Sequence, residues 1–279
     1  MKIFFDKGLV IAASVAAVAV LGSAGTQAAD LYGGGAGSLK DMPAVQYGGG
    51  AGRCYLRGDV GYSVSGEPVV NWPVTTYASG SAVYLGKAVR SEEIDNGWLG
   101  EIGAGCGAGS RGLRGDITIG YRGSRDVDGE PYDFVPPGGG NVDDPLHTSI
   151  TSYTLMFNAY YDFGQWRGFV PYVGAGIGVA WHDMDEVNFT GDPFLTNRIE
   201  GKTSTDFAWS LMAGAAYQIS DRAILDFGYR FIALGDAKSG TIDSLGYVNP
   251  PVTVRDMHAH EFKIGLRYHF GGPRYPAYK

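Results

Sequence analysis

Alternation of apolar and polar residues with a period of two dominates this sequence. In the run L-D-F-G-Y-R-F at 225–231, for example, every second residue is apolar. A period of two is typical of β-strands with one apolar face, whereas an amphipathic helix repeats every 3.6 residues. Eight segments show the pattern: 55–63, 98–106, 113–122, 152–163, 170–181, 206–219, 223–231 and 261–270. The chain is therefore predicted to be all-β.

The two faces of these segments differ in side-chain size. One face carries tyrosine, phenylalanine and tryptophan, and the other carries glycine, serine and charges of both signs. Eight strands closed into a barrel enclose a space only just wide enough for side chains, so eight rows of aromatic residues would overfill it. The aromatic face should therefore point outward, as in a transmembrane β-barrel. A soluble sandwich or a lipocalin-like barrel is the alternative.

The connections between the segments alternate strictly in length. Three are short and four are long: 107–112, 164–169 and 220–222, against 64–97, 123–151, 182–205 and 232–260. Outer-membrane barrels have short periplasmic turns and long extracellular loops. The predicted fold is an eight-stranded antiparallel transmembrane β-barrel over 54–270, with both ends in the periplasm and four long, mobile extracellular loops.

The first 28 residues have the order of a secretory signal peptide. Lys2 and Lys7 precede an apolar run over 9–21, and small residues allow cleavage after Ala28 or one residue later. The run is too short to cross a bilayer as a helix. A buried helix of the mature domain is the alternative interpretation.

Composition defines the remaining segments and excludes two classes of protein. Residues 29–53 contain G-G-G-A-G twice and are predicted to form a flexible periplasmic lead-in, and 271–279 a periplasmic extension. The chain has 45 glycines, and glycine weakens helices, so a helical bundle is excluded. A formal net charge of −7 argues against nucleic acid as a partner, because no basic excess is present to neutralise phosphates.

The polar faces carry nearly equal numbers of acidic and basic residues. The candidates for the barrel lumen are Arg57, Arg114, Arg122, Arg230, Lys263 and Arg267, with Asp59, Glu101, Asp116, Asp162, Asp206, Asp226 and Glu261. Unpaired charges in a narrow lumen are costly, whereas interleaved signs can form a satisfied network. We therefore predict a plug of ion pairs. A narrow pore for small solutes is the main alternative.

The mature chain has two cysteines, Cys54 at the start of the first segment and Cys106 at the end of the second. The antiparallel register that places Tyr62 opposite Trp98 also places Cys54 opposite Cys106. Directly opposed residues are close enough for a disulfide, and the periplasm is oxidising. A structural disulfide is therefore predicted. Two free thiols on strands offset by one pair are the alternative.

Five stretches together resemble a known family. They are Y-L-R-G-D-V-G-Y (55–62), N-A-Y-Y-D-F-G (158–164), P-Y-V-G-A-G-I-G-V-A (171–180), L-D-F-G-Y-R-F (225–231) and I-G-L-R-Y-H-F (264–270). The set resembles the opacity-like outer-membrane β-barrels of alphaproteobacteria, which include small surface antigens and hemin-binding proteins of rhizobia, Brucella and Bartonella relatives. The resemblance implies an outer-membrane location and a role in envelope integrity or host contact.

The resemblance also implies partners. These are outer-membrane lipid, lipopolysaccharide, a host or extracellular ligand at the loops, and the barrel-assembly machinery. That machinery would recognise a last strand ending in an aromatic residue, here Phe270, which nine further residues follow. The loops match no pattern that would identify a ligand.

A lipid A hydrolase or acyltransferase is a third interpretation. Such an enzyme needs a serine or histidine with an acidic partner near the outer leaflet. His258, His260 and Glu261 are the candidates, but the alternation places both histidines outside and Glu261 inside. We therefore predict no catalysis, no cofactor and no metal site. A metal or heme site at the histidine pair, or Ca²⁺ at the acidic runs 126–130 and 183–186, is a weaker alternative.

Overall fold

The described part of the chain is built from β-strands. The computed structural model describes residues 53–71, 90–107, 111–130, 146–189, 198–220, 222–244, 246, 248 and 250–270. Its strands are β1 (Arg53–Ser65), β2 (Val69–Asn71), β3 (Arg90–Ile94), β4 (Gly97–Gly107), β5 (Arg111–Glu130), β6 (Leu146–Phe163), β7 (Phe169–Met184), β8 (Val187–Phe189), β9 (Arg198–Ile199), β10 (Lys202–Gln218), β11 (Ala223–Lys238) and β12 (Thr253–Phe270). Within these ranges no helix is long and apolar enough to cross a membrane.

Eight long strands close into a ring. The antiparallel neighbours are, in order, β1, β4, β5, β6, β7, β10, β11 and β12. The last strand pairs with the first, from Cys54 opposite Phe270 to Ser65 opposite Ala259. Closure pairs both edges of the sheet and leaves no edge free. The predicted eight-stranded antiparallel barrel is confirmed.

The large apolar side chains of these strands point away from the barrel. Trp98, Leu113 and Ile102 are 73%, 70% and 66% exposed, whereas Arg230 and Glu261 on the opposite face are fully buried. A continuous apolar outer face of this kind is suited to lipid. The predicted orientation, with aromatic residues outside and charges inside, is confirmed.

The two ends of the barrel differ. The turn end carries the short connections β4–β5, β6–β7 and β10–β11, and the loop end carries the long ones. At the loop end the wall continues beyond the lipid-facing zone, because β2, β3 and β8 pair with β12, β5 and β6, and β9 pairs with β8. We call this part the loop-end collar; it comprises 123–130, 146–151, 232–238 and 253–259 with β2, β3, β8 and β9.

In the collar the polarity of the two faces is reversed. On β5, Asp126 and Asp128 point outward and are exposed, whereas Val127 points inward and is fully buried. The expectation of loops throughout 64–97, 123–151, 182–205 and 232–260 is therefore wrong for the strand residues in those ranges. The outward apolar pattern ends at the membrane boundary because the outer face then meets water, while the strand itself continues.

Irregular pairing accompanies this boundary. The register of β5 and β6 shifts between Arg122 and Arg125, and that of β11 and β12 shifts around Gly235, which has a φ of 77°. A β-bulge adds one residue to one strand and so changes the face that the following side chains occupy. Arg125 consequently joins Arg122 on the inner face.

Candidate functional site in the barrel lumen

The lumen contains three layers of buried side chains, which follow one another from the turn end to the loop end. The turn-end network consists of Arg57, Asp59, Arg114, Asp116, Asp162, Asp226 and Arg267. The mid-barrel network consists of Glu101, Arg122, Arg125, Arg230, Glu261 and Lys263. The loop-end cluster is apolar and includes Val127, Ile150, Met184, Ile232 and Val254.

Asp116 is the centre of the turn-end network. Its carboxylate accepts hydrogen bonds from Arg57 Nη1 at 2.8 Å, from the Tyr55 hydroxyl at 3.0 Å and from Asn158 Nδ2 at 2.8 Å. Arg57 also donates to both oxygens of Asp59, at 2.8 and 2.9 Å. Such charge-assisted, bidentate contacts fix the side chains in one arrangement.

Two inward tyrosines complete the turn-end network. The guanidinium carbon of Arg114 lies 3.8 Å from the ring centroid of Tyr160 and 4.7 Å from that of Tyr172, and Arg114 Nε donates to Asp162. The Tyr172 hydroxyl donates to Asp226. These cation–π and hydrogen-bonding contacts hold a desolvated arginine at the turn end.

The mid-barrel network is a chain of alternating charges. Glu261 accepts from Arg122 Nε at 2.8 Å and from Arg230 Nε at 2.6 Å. Arg230 Nη1 donates to Glu101 at 2.7 Å, and Lys263 Nζ donates to the other oxygen of Glu101 at 3.3 Å. Four strands supply these five residues, so the network ties β4, β5, β11 and β12 across the lumen.

Asp206 is the predicted lumen charge that does not join either network. It is half-buried near the loop end, and its carboxylate accepts from the main-chain N–H groups of Phe207 at 2.7 Å and Asp236 at 2.8 Å. None of the ion pairs formed within the described ranges includes it. Its role is to satisfy backbone groups beside the bulge of β11, rather than to balance a cation.

Cys54 and Cys106 are joined by a disulfide. They lie directly opposite each other in the pairing of β1 with β4, and the same register places Tyr62 opposite Trp98. The rings of this aromatic pair are 5.4 Å apart between centroids. The bond therefore closes the β1–β4 sheet at the turn end, where it links the start of the barrel to its second long strand.

The histidine candidates do not meet an acid in the lumen. His260 is exposed and hydrogen-bonded to the Tyr229 hydroxyl at 2.7 Å, and His258 is in ring contact with Phe231. Glu261 points inward to the arginines. The acidic runs lie at a concave surface on the collar, where Asp128 contacts His147. Across the described ranges, no three histidine, cysteine or acidic side chains are arranged to hold a metal ion.

Sequence reasoning missed several inward polar residues. The bulge conceals the inward position of Arg125. Tyr160 and Tyr172 are inward residues that the pattern did indicate, because Tyr160 alternates in step with Asn158 and Asp162 on β6, and Tyr172 with Gly174 and Gly176 on β7. His182 was assigned to a loop, but it is fully buried, with Ser152 Oγ at 2.9 Å and the Leu234 carbonyl at 3.0 Å. His182 occupies an even-numbered position, like the inward-facing Gly174, Gly176 and Gly178 of the same strand, and this position in the alternation was the available signal.

A closed ring of eight antiparallel strands, with an apolar outer face and a charged interior, defines a transmembrane β-barrel of the outer-membrane class. The chain belongs to the outer membrane protein beta-barrel domain family, whose model matches residues 10–270. The protein is therefore located in the bacterial outer membrane, and the family relationship expected from the sequence is confirmed.

Individual proteins resemble the chain at lower similarity. An uncharacterized protein of Brucella abortus is 29% identical over 241 residues, which are 77% of this chain and 84% of the relative. A candidate adhesin of Rickettsia bellii is 28% identical over 201 residues, 67% of this chain and 85% of the relative. Among solved structures, the outer membrane protein OprG from Pseudomonas aeruginosa has a TM-score of 0.45 and 14% identity, covering 80% of this chain and 97% of OprG.

Proposed function

We propose that the protein is a non-catalytic surface protein that carries extracellular loops on a sealed barrel and contacts a host or other extracellular ligand through them. The collar is the observation that carries this proposal. Its reversed polarity makes it a water-exposed β-structure with its own apolar interior. A wall of this kind gives the loops a rigid base above the membrane.

The filled lumen favours a surface role over transport. A diffusion channel needs a continuous polar path, as in the water-filled barrels of porins. Here buried charges, most of them in ion pairs, occupy the turn end and the middle of the lumen, and apolar side chains occupy the loop end. The candidate adhesin of Rickettsia bellii supports the same choice.

Catalysis is not part of the proposal. A lipid A hydrolase or acyltransferase would need a nucleophile or base beside its acidic partner. His258 and His260 lie on the outer face, while the Glu261 carboxylate accepts hydrogen bonds from Arg122 and Arg230 inside the barrel. Expression of the protein should therefore leave the mass spectrum of lipid A unchanged, and a new deacylated or acylated species would contradict this part of the proposal.

The proposed route to the surface accounts for the segments outside the barrel. Residues 1–28 would be removed as a signal peptide, and 29–53 and 271–279 would remain in the periplasm. The barrel-assembly machinery would recognise β12, which ends at Phe270. Lipid would cover the apolar outer face, and lipopolysaccharide would surround the loop-end edge of that face.

Adherence of cells that display the full chain tests the proposal. A laboratory Gram-negative host expressing it should bind cultured epithelial cells or immobilised matrix proteins more than the same host with an empty vector. A variant with residues 72–89 and 131–145 replaced by short glycine–serine turns should lose the gain, provided that heat-modifiability on a gel shows a folded barrel. Equal adherence of the full chain and the empty vector, or of the full chain and the folded variant, would overturn the proposal.

A further inference from the structure

The mid-barrel network contains more positive than negative charge. Its described members are four cations, namely Arg122, Arg125, Arg230 and Lys263, and two carboxylates, Glu101 and Glu261. All six are buried, at 7% exposure or less. The turn-end network offsets part of this excess, because its three arginines, Arg57, Arg114 and Arg267, face four carboxylates. The two networks together therefore hold one more cation than carboxylates. Buried cations without a counter-charge are strongly unfavourable.

Among the described residues of the two networks, Arg125 is the cation that forms no ion pair. Its Nη1 donates to Ser65 Oγ at 3.1 Å. Its Nε and Nη2 atoms are buried and have no hydrogen-bond partner among the described residues, and no described carboxylate lies within ion-pair distance of Arg125. A guanidinium normally uses its five N–H groups as a fork toward an anion, so two of its nitrogens are free to bind one.

Arg125 also lines a small cavity. It has a volume of about 20 Å³, and its lining includes Arg122, Arg125, Ser65 and Ser152 beside the apolar side chains of Ile150 and Met257. A cavity of roughly 10–15 Å³ or more can hold one water molecule. The space therefore suits one water-sized particle and is too small for acetate, phosphate or a sugar.

We propose that this cavity binds a single small monovalent anion of the halide class, with Arg125 as its principal ligand. A water molecule would satisfy hydrogen bonds but would leave the excess of buried positive charge unchanged. A halide accepts several N–H and O–H donors at once and also supplies the missing negative charge. The anion would thereby complete the mid-barrel network at the level where the lumen passes from charged to apolar side chains.

Halide-dependent stability of the refolded barrel tests the proposal. Urea unfolding of the full chain in detergent is followed while sodium chloride or bromide replaces sodium gluconate at constant ionic strength. The midpoint should rise with halide concentration and level off, as expected for binding at one site in the folded state. Arg125→Gln should lose this saturable rise.

Arg255→Gln is the matched control. Arg255 lies at the loop end, but its side chain is 54% exposed and its nearest contact with Asp236 is 3.8 Å. This variant should keep the saturable response of the wild type. An equal response of Arg125→Gln and the wild type, or no saturable response of the wild type, would overturn the proposal.

Crystals of the wild-type protein grown in bromide give a second readout that does not require a folded variant. An anomalous peak within hydrogen-bonding distance of Arg125 Nε or Nη2 is the expected result. An ordered water only, with no anomalous signal in the cavity, would also overturn the proposal.

Discussion

Glu101 shows at the residue scale why acids matter more than bases in the middle of this barrel. Its carboxylate is fully buried and accepts from both Arg230 and Lys263. Since the surrounding network is already rich in cations, each carboxylate stabilises more than one partner. Replacing the acidic member of one ion pair should therefore lower the free energy of unfolding more than replacing its basic member.

Glu101→Gln should therefore cost more than Lys263→Met. The first change removes one of the two carboxylates of the mid-barrel network, so that its buried cations share Glu261. Breaking a buried pair in this way costs about 3–5 kcal/mol of stability. The second change removes an excess cation and leaves Arg230 on Glu101, so its cost should be smaller. Urea titrations of both refolded variants measure the free energies of unfolding. A larger loss for Lys263→Met would show that the network is not cation-rich.

The positions of most lumen charges were predictable at this scale. In a regular strand, successive side chains point to opposite faces, so an odd or even position along the strand alone decides which face a side chain occupies. Arg57, Asp116 and Glu261 follow this rule. Arg125 does not follow it, because the bulge after Arg122 exchanges the inward and outward positions of the residues that come later in β5. Specific partners were not predictable either, because the pairs join strands that are distant in sequence, such as Arg122 with Glu261.

At the scale of single strands, β5, β6, β11 and β12 each have two zones with opposite polarity. In the lipid-facing zone the apolar residues point outward, and in the collar they point inward. The eight strands and the β1–β4 register were predictable from alternation in the first zone. The collar was not, because its outer face carries polar or small residues that resemble those of loops, as at Asp126 and Asp128.

The lipid-facing zone is tested on β10, where neighbouring residues point to opposite sides. Leu211 is 53% exposed on the outer face, and Ser210 beside it is 1% exposed inside. Leu211→Arg should destabilise the barrel by roughly 2–4 kcal/mol, the usual cost of a cation facing the membrane midplane. Ser210→Ala should have a much smaller effect. Equal losses in a refolding titration would mean that the two faces are assigned wrongly.

The β1–β4 hairpin is tested through its disulfide. A maleimide should label no thiol of the denatured, unreduced mature protein, and two thiols per chain after reduction. Reduction, or the double change Cys54→Ser and Cys106→Ser, should lower the free energy of unfolding by about 2–4 kcal/mol, because the bond restricts the unfolded chain. Two labelled thiols without reduction would contradict the structure at this hairpin.

At the scale of the whole molecule, the three layers of the lumen favour the proposal that the barrel is a sealed support for its loops. The turn-end and mid-barrel networks join strands across the barrel, and the loop-end cluster fills the collar with apolar side chains. Close packing of this kind leaves little room for a continuous column of water. The central claim is therefore that the protein presents a surface and does not conduct solutes.

Conductance of the full-length mature protein in a planar lipid bilayer tests this claim most directly. The sealed lumen predicts no stable, uniform single-channel steps in salt solution, even when heat-modifiability shows that the inserted protein is folded. The matched control is an outer-membrane porin inserted under the same conditions, which should give regular steps. Stable and uniform steps of porin size from this protein would contradict the account.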